Sequence, residues 1–241
     1  MWLFNMFKIC MKELVKKYNT RNVVLFCILV LFTVILMLSG NNVFKILASL
    51  SFVAAGVLNY FYENQENKKF SRLLLLGLIC GLFGDIGILI DFQIGAVCFG
   101  VGHILYILSF CKLSPLSRKD IPSIAVCLVI AVTLSFFVLP PETETLMRIV
   151  CMIYAGIISV MTGKAVSLHL SLKNRLSLIL CIGSIAFYIS DIMILFAEFS
   201  PTKAELYTNI CHSIYFPAQF ILAQALSKKS IEYKPVTCRK S

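Results

Sequence analysis

Long apolar runs alternate with short polar breaks along this chain. The runs cover approximately residues 23–39, 43–62, 73–91, 94–111, 121–139, 146–168, 175–197 and 205–227. Each approaches the roughly 20 apolar residues that an α-helix needs to cross a bilayer. The stretch 73–111 is broken only by Asp91-Phe92-Gln93, so it is too long for one span and long enough for two. The pattern predicts an all-α fold: a polytopic membrane protein of eight transmembrane helices. A basic segment, 1–22, would precede the transmembrane domain, 23–227, and a basic tail, 228–241, would follow it.

Composition agrees. Of 241 residues, 59% are hydrophobic and 14% charged, and the mean hydropathy is +0.88. Soluble domains have roughly 45–50% apolar and about 25% charged residues. A soluble globular domain, a disordered chain and a fibrous repeat are therefore excluded. The net charge of +10 would suggest nucleic acid in a soluble chain, but here the basic residues sort by side. Lys8, Lys12, Lys16, Lys17 and Arg21 precede the first run. Lys68, Lys69 and Arg72 lie between runs two and three, and Lys112, Arg118 and Lys119 follow run four. Lys164, Lys173 and Arg175 surround the link of runs six and seven, and Lys228, Lys229, Lys234, Arg239 and Lys240 follow run eight. That puts 19 of 22 on one side, with only Lys45, Arg148 and Lys203 toward the other. The positive-inside rule makes the majority side cytoplasmic, with both termini inside. The charge reports topology, and no nucleic-acid partner is expected. No cleavable signal peptide is evident in the first 22 residues. The ten cysteines show no C-x-x-C spacing and read as small packing residues.

Two stretches resemble each other. Gly84-Asp85-Ile86-Gly87-Ile88-Leu89 and Ser190-Asp191-Ile192-Met193-Ile194-Leu195 both read small–Asp–Ile–x–Ile–Leu. An acidic–Phe pair follows each, Asp91-Phe92 and Glu198-Phe199. The next run then carries His-x-x-Tyr, as His103 with Tyr106 and as His212 with Tyr215. This suggests a four-plus-four internal repeat. Four spans per half give both halves one orientation, hence a parallel repeat about the membrane normal.

Asp85 and Asp191 are the residues least at home in lipid. A carboxylate within a span costs a few kcal/mol and ordinarily faces a cavity or a partner. Asp85 lies about 9 Å from Asp91, and Asp191 about 10 Å from Glu198, at 1.5 Å per residue. Both carboxyls, with His103 and His212, are expected in one slab, facing each other across a polar pocket. Ser184, Tyr188 and Asp191 share a stripe of run seven; His212, Tyr215 and Gln219 share one of run eight. Pro217 frees the Ser213 carbonyl beside them. Gly77, Gly81, Gly84, Gly95 and Gly102 read as close-packing positions. Tyr154 and Lys45 are further candidates. Lys45 opens run two near the outer surface, where snorkelling is the favoured reading and contact with a phosphate the other.

Several of these residues resemble the YhhN family of membrane proteins, whose characterised members are lysoplasmalogenases. The resemblance rests on Gly84-Asp85 with Leu89, Gly102-His103 with Tyr106, Tyr154 with Met161, and Ser190-Asp191 with Leu195. It ends on Tyr215, Ala218-Gln219 and Ala223, and spans roughly residues 43–227. It departs where Phe216, not Tyr, follows Tyr215, and where Ile46, not Pro, follows Lys45.

The resemblance implies hydrolysis of the vinyl ether bond of a lysoplasmalogen to a fatty aldehyde and glycerophosphoethanolamine or glycerophosphocholine. Such a bond is cleaved by protonating the β-carbon. Water then adds to the oxocarbenium carbon, and the hemiacetal collapses. Glycosidases meet a related cation with two carboxyls in different protonation states. Asp85 and Asp191 are expected to divide the work in that way, with His103 as shuttle or orienter. Tyr106, Tyr154, Tyr188, His212, Tyr215, Gln219 and Lys45 are expected to contact substrate. The expected partner is a lysophospholipid taken from the bilayer, with no cofactor and no metal. The host would be an inner membrane in a bacterium or an endoplasmic-reticulum-type membrane in a eukaryote. Other readings stay open: a proton-coupled transporter, a metal-dependent membrane hydrolase using His103, His212 and both Asp, and a lipid-binding scaffold.

Overall fold

The computed structural model describes residues 20–62, 67–141 and 143–227. Most of the basic segment 1–22 and all of the tail 228–241 lie outside the described residues. Among the described residues eight long helices follow one another: α1 Thr20–Ser39, α2 Asn42–Tyr62, α3 Lys68–Ile88, α4 Phe92–Cys111, α5 Ile121–Val138, α6 Thr145–Leu172, α7 Arg175–Phe199 and α8 Ala204–Gln224. Single 3-10 turns, Arg118–Asp120 and Pro201–Lys203, precede α5 and α8. No strand occurs among the described residues. The eight apolar runs coincide with the eight helices.

Seven of the helices are long and apolar enough to cross a membrane. The eighth, α8, has the length, 21 residues, but not the apolarity. Its composition is diluted by Glu205, Asn209, His212, Ser213, Gln219 and Gln224, and of these His212 and Gln219 are buried inside the bundle.

Polar side chains set the helix ends. The Asn67 side chain accepts from the Phe70 N–H at 3.1 Å to start α3. Asp91 accepts from the Gln93 and Ile94 N–H groups at 2.7 and 3.2 Å to start α4. Asn174 accepts from the Ser177 N–H at 2.8 Å to start α7. Each satisfies donors that a helix start leaves open. Gly40, at φ +64°, closes α1 in the left-handed conformation that glycine adopts without a Cβ penalty. Links of two residues, Gly40-Asn41 and Lys173-Asn174, force antiparallel neighbours.

The basic residues Lys68, Lys69, Arg72, Lys112, Arg118, Lys119, Lys173 and Arg175 lie at or beside Asn67 and the links 112–120 and 173–174, which share one end of the bundle. The other end is poor in lysine. Consecutive pairs pack along each other: α1 on α2, α3 on α4, α5 on α6 and α7 on α8. The halves meet chiefly through α2 with α8 and α4 with α6, in each of which the second helix of one half meets the fourth of the other; α8 also touches α1 and α3.

The α3–α4 contact is glycine-faced. Gly77 packs on the Tyr106 ring, and a Cβ on Gly84 would come within 2.7 Å of the Phe99 ring. Phe52, Phe70, Leu74, Leu78, Phe110, Met161 and Phe216 fill the interior. Large apolar side chains such as Leu38, Phe61, Phe136 and Phe137 stand outward, at 74–83% exposure.

One expectation is corrected here. Lys164, expected among the surface charges of the basic end, is buried at 1% exposure. Its Nζ pairs with Asp120 Oδ2 at 3.0 Å and donates to the Pro115 carbonyl at 3.1 Å. Asp120 also accepts from the Ser117 N–H at 2.6 Å. The 28 residues of α6 carry Lys164 inside the helix, under the α4–α5 link, so the charge is met by protein and not by water. Asp120 is itself 2% exposed, so Asp85 is not alone as a buried carboxyl.

Candidate functional site

Helices α2 to α8 enclose one cavity, holding about 940 Å³ of empty space with its open mouth included. Its wall is largely apolar, with Ile88, Phe92, Phe99, Leu134, Ile158 and Leu195 among the lining residues. Lys45, Asp85, Ser135, Tyr154, Tyr188, Asp191, His212 and Tyr215 bring polar atoms to it. Both aspartates therefore reach the same space. They do so through separate hydrogen-bond sets and make no direct contact with each other.

Asp85, on α3, is 2% exposed. Its Oδ2 accepts from the Tyr215 hydroxyl at 2.7 Å and from Ser49 Oγ at 2.6 Å. Ser49 Oγ also lies 2.9 Å from the Lys45 carbonyl. With one hydroxyl hydrogen it serves one acceptor at a time. Asp85 Oδ1 faces Lys45 Nζ at 3.8 Å. Lys45 is thus turned inward at 5% exposure, and the favoured snorkelling reading is corrected. An ammonium so placed is stabilised by the buried carboxylate beside it.

Asp191, on α7, receives the Tyr154 hydroxyl on Oδ2 at 2.6 Å. His103 Nε2 lies 2.8 Å from the Tyr154 oxygen and 3.3 Å from the same Asp191 oxygen. Because Tyr154 donates to Asp191, its oxygen is free to accept from His103, which places the ring hydrogen on Nε2. His103 Nδ1 is buried and has no hydrogen-bond partner among the described residues. His103 stands behind Tyr154 and Asp191 and not on the cavity wall.

The two sets share one layout. Asp85 takes Lys45 and Ser49 from α2 and Tyr215 from α8. Asp191 takes Tyr154 from α6 and His103 from α4. Each carboxyl is held by the second helix of its own half and the fourth helix of the other. The ring of Phe187 bridges them, 5.2 Å from the Tyr215 centroid and 4.6 Å from that of His103.

The remaining candidates divide. Tyr188 lines the cavity, but its hydroxyl donates to the Cys127 carbonyl at 2.6 Å. His212 lines it with its ring stacked on Phe216 at 5.5 Å. Tyr106 and Gln219 are not brought to the wall. The Tyr106 hydroxyl donates to Gln219 Oε1 at 2.7 Å, and Gln219 Nε2 donates to the Tyr215 oxygen at 3.4 Å. They stand one and two residues behind Tyr215, fixing its hydroxyl. Ser184, expected on the Asp191 stripe, is fully buried.

Sequence reasoning passed over Ser49, which Lys45 could have revealed, because four residues on a helix share a face. It also passed over Cys211, Phe99 and Phe187, whose apolar setting gives no signal in a chain this hydrophobic. Among the described residues no three of His, Cys, Asp and Glu gather as metal ligands.

Comparison with known proteins gives one match. The family model described as YhhN family covers residues 40–226. No curated protein matches, and no solved structure does.

Proposed function

The chain belongs to the YhhN family, and we propose from that premise that it is a membrane hydrolase cleaving the vinyl ether bond of lysoplasmalogens. The products are a fatty aldehyde and a glycerophospho-ethanolamine or glycerophosphocholine. The observation that carries this reading is the cavity in which two carboxyls, Asp85 buried on α3 and Asp191 at 13% side-chain exposure on α7, meet a largely apolar wall.

The chemistry needs three things. A proton goes to the β-carbon of the vinyl ether, a negative group faces the resulting oxocarbenium ion, and a water adds to its α-carbon. The adding water gives a proton back to the carboxyl that spent its own, and as the hemiacetal breaks its C–O bond the hydroxyl proton passes to the leaving glycerol oxygen. Asp85 and Asp191 divide the first two tasks. General acid–base catalysis of this kind contributes about 10²–10⁴-fold. Tyr154 and Tyr215 orient the two carboxyls. His103 orients rather than relays, since Nδ1 has no onward partner among the described residues. The apolar wall holds the alkenyl chain.

In this reading α8 crosses the membrane with the other seven helices, its polar residues turned into the bundle. Both termini then lie on the cytoplasmic side with the basic links. The common layout around Asp85 and Asp191 supports a four-plus-four parallel repeat.

The test is aldehyde release from lysoplasmalogen by purified protein in detergent. Asp85→Asn and Asp191→Asn are each expected to lower the rate by at least about 10²-fold. A rate equal to the parent's in either variant removes that residue from the chemistry. No release by the parent removes the activity.

A further inference from the structure

Two cavity residues have more hydrogen-bonding capacity than the protein uses. Lys45 Nζ carries three donors. The ion partner it faces among the described residues is Asp85 Oδ1 at 3.8 Å, beyond hydrogen-bond length. Both oxygens of Asp85 have other roles: Oδ2 is held by Tyr215 and Ser49, and Oδ1 neutralises the ammonium through space. His212 is 8% exposed and stacked on Phe216, and its ring nitrogens make no hydrogen bond within the described residues. A neutral imidazole still donates one N–H. Both side chains are more than nine-tenths buried, and both line the same cavity. Buried donors are ordinarily satisfied, so unspent ones on a cavity wall await an acceptor.

Their position says which acceptor. Lys45 is three residues from the start of α2, about 4.5 Å from the lysine-poor end at 1.5 Å per residue. Tyr154 and His103, which hold Asp191, are nine and eleven residues into α6 and α4, about 14 and 17 Å along their helices. Lys45 stands near one end of the bundle, His212 is eight residues into α8, about 12 Å along its helix, and the Asp191 set lies deepest. The geometry points to a phosphate-binding subsite formed by Lys45 and His212, which takes the phosphodiester of a lysophospholipid at the mouth and sends its chain inward. A three-carbon glycerol link separates that phosphate from the ether oxygen. The subsite therefore puts the ether bond beside Asp191 and Tyr154, with Asp85 nearer the headgroup. This assignment rests on the lysophospholipid reading above and gives the headgroup its place.

The test uses lipids that cannot be turned over. A 1-O-alkyl lysophospholipid has a saturated ether, and the matching 1-O-alkylglycerol lacks the phosphate. Affinities of the full chain for both are measured by thermal-shift titration in neutral detergent. The parent is expected to bind the lysophospholipid at least about tenfold more tightly, a difference of about 1.4 kcal/mol. Lys45→Met and His212→Phe are each expected to remove most of that ratio while leaving alkylglycerol affinity as it was. Lys45→Arg, which keeps the charge, is expected to retain it. Should Lys45→Met fail to fold, His212→Phe and Lys45→Arg carry the comparison.

Equal binding of both lipids by the parent overturns the subsite, as does an unchanged ratio in the variants. Inorganic phosphate alone is the third arm. A shift as large as the lysophospholipid's makes free phosphate the ligand and overturns the lipid assignment. None of these readings depends on aldehyde release, so a retained phosphate preference without hydrolysis would sink the reaction and leave the subsite standing.

Discussion

Tyr154 and Tyr215 carry the finest distinctions in the cavity. Each hydroxyl donates to one carboxyl, at 2.6 and 2.7 Å, while its ring packs against apolar neighbours. Replacing either by Phe removes the donor and keeps the ring. Hydrogen bonds to charged groups contribute about 1.5–3 kcal/mol, which corresponds to about 10- to 100-fold in rate if the geometry of the carboxyl is what is lost. Tyr154→Phe and Tyr215→Phe are therefore expected to lower kcat for aldehyde release by that factor, with KM changed much less. An equal loss in KM alone would make the hydroxyls substrate contacts and not orienters of Asp191 and Asp85. Sequence spacing singled out both tyrosines, but it grouped Tyr215 with His212 on one helix stripe. The partner of Tyr215 is instead on α3, 130 residues away, a distance that no local spacing encodes.

At the scale of helices, close approach is set by glycine where backbones touch. A Cβ on Gly163 of α6 would meet Ile124 Cα of α5 at 2.5 Å, whereas one on Gly156 would meet nothing within 4 Å. Backbone cannot step aside as a flexible side chain can. Gly163→Ala is expected to destabilise the protein by about 1–3 kcal/mol and to lower Tm in detergent, with Gly156→Ala as the neutral comparison. Equal Tm values would show that α5 is free to shift. The Lys164–Asp120 pair fixes the same two helices at the basic end. Removing one partner of a buried pair costs about 3–5 kcal/mol, so Lys164→Met is expected to lower Tm more than the double variant Lys164→Met with Asp120→Asn. The double variant leaves no lone buried charge. The helices themselves were legible from apolar runs and their breaks. Lys164 was not, because its burial depends on how far α6 overshoots the α4–α5 link.

For the whole molecule, an even number of crossings puts both ends on one side. Reporter tags at the two termini of the full chain are expected to be accessible from the cytoplasmic face together. Accessibility on opposite faces would mean that one helix, with α8 the first suspect, does not cross. The mirrored layout of the two carboxyl sets makes a second whole-molecule statement. Each half supplies a second helix to its own aspartate and a fourth helix to the other's. Neither half can complete a site without its partner, so the cavity exists only when α2 meets α8 and α4 meets α6.

The sequence by itself determined the class and the layout of helices, because lipid imposes length and apolarity on every segment that enters it. It also marked Asp85 and Asp191, since a carboxyl in an apolar run is conspicuous against that background. The tertiary structure alone decided which groups those carboxyls meet, because their partners come from other helices at separations of 36 to 130 residues. It turned Lys45 inward, set His103 behind the cavity wall and left the donors of Lys45 and His212 unspent. Those outcomes follow from how eight helices pack, and packing is settled by side-chain shape across helices, which no run of residues contains.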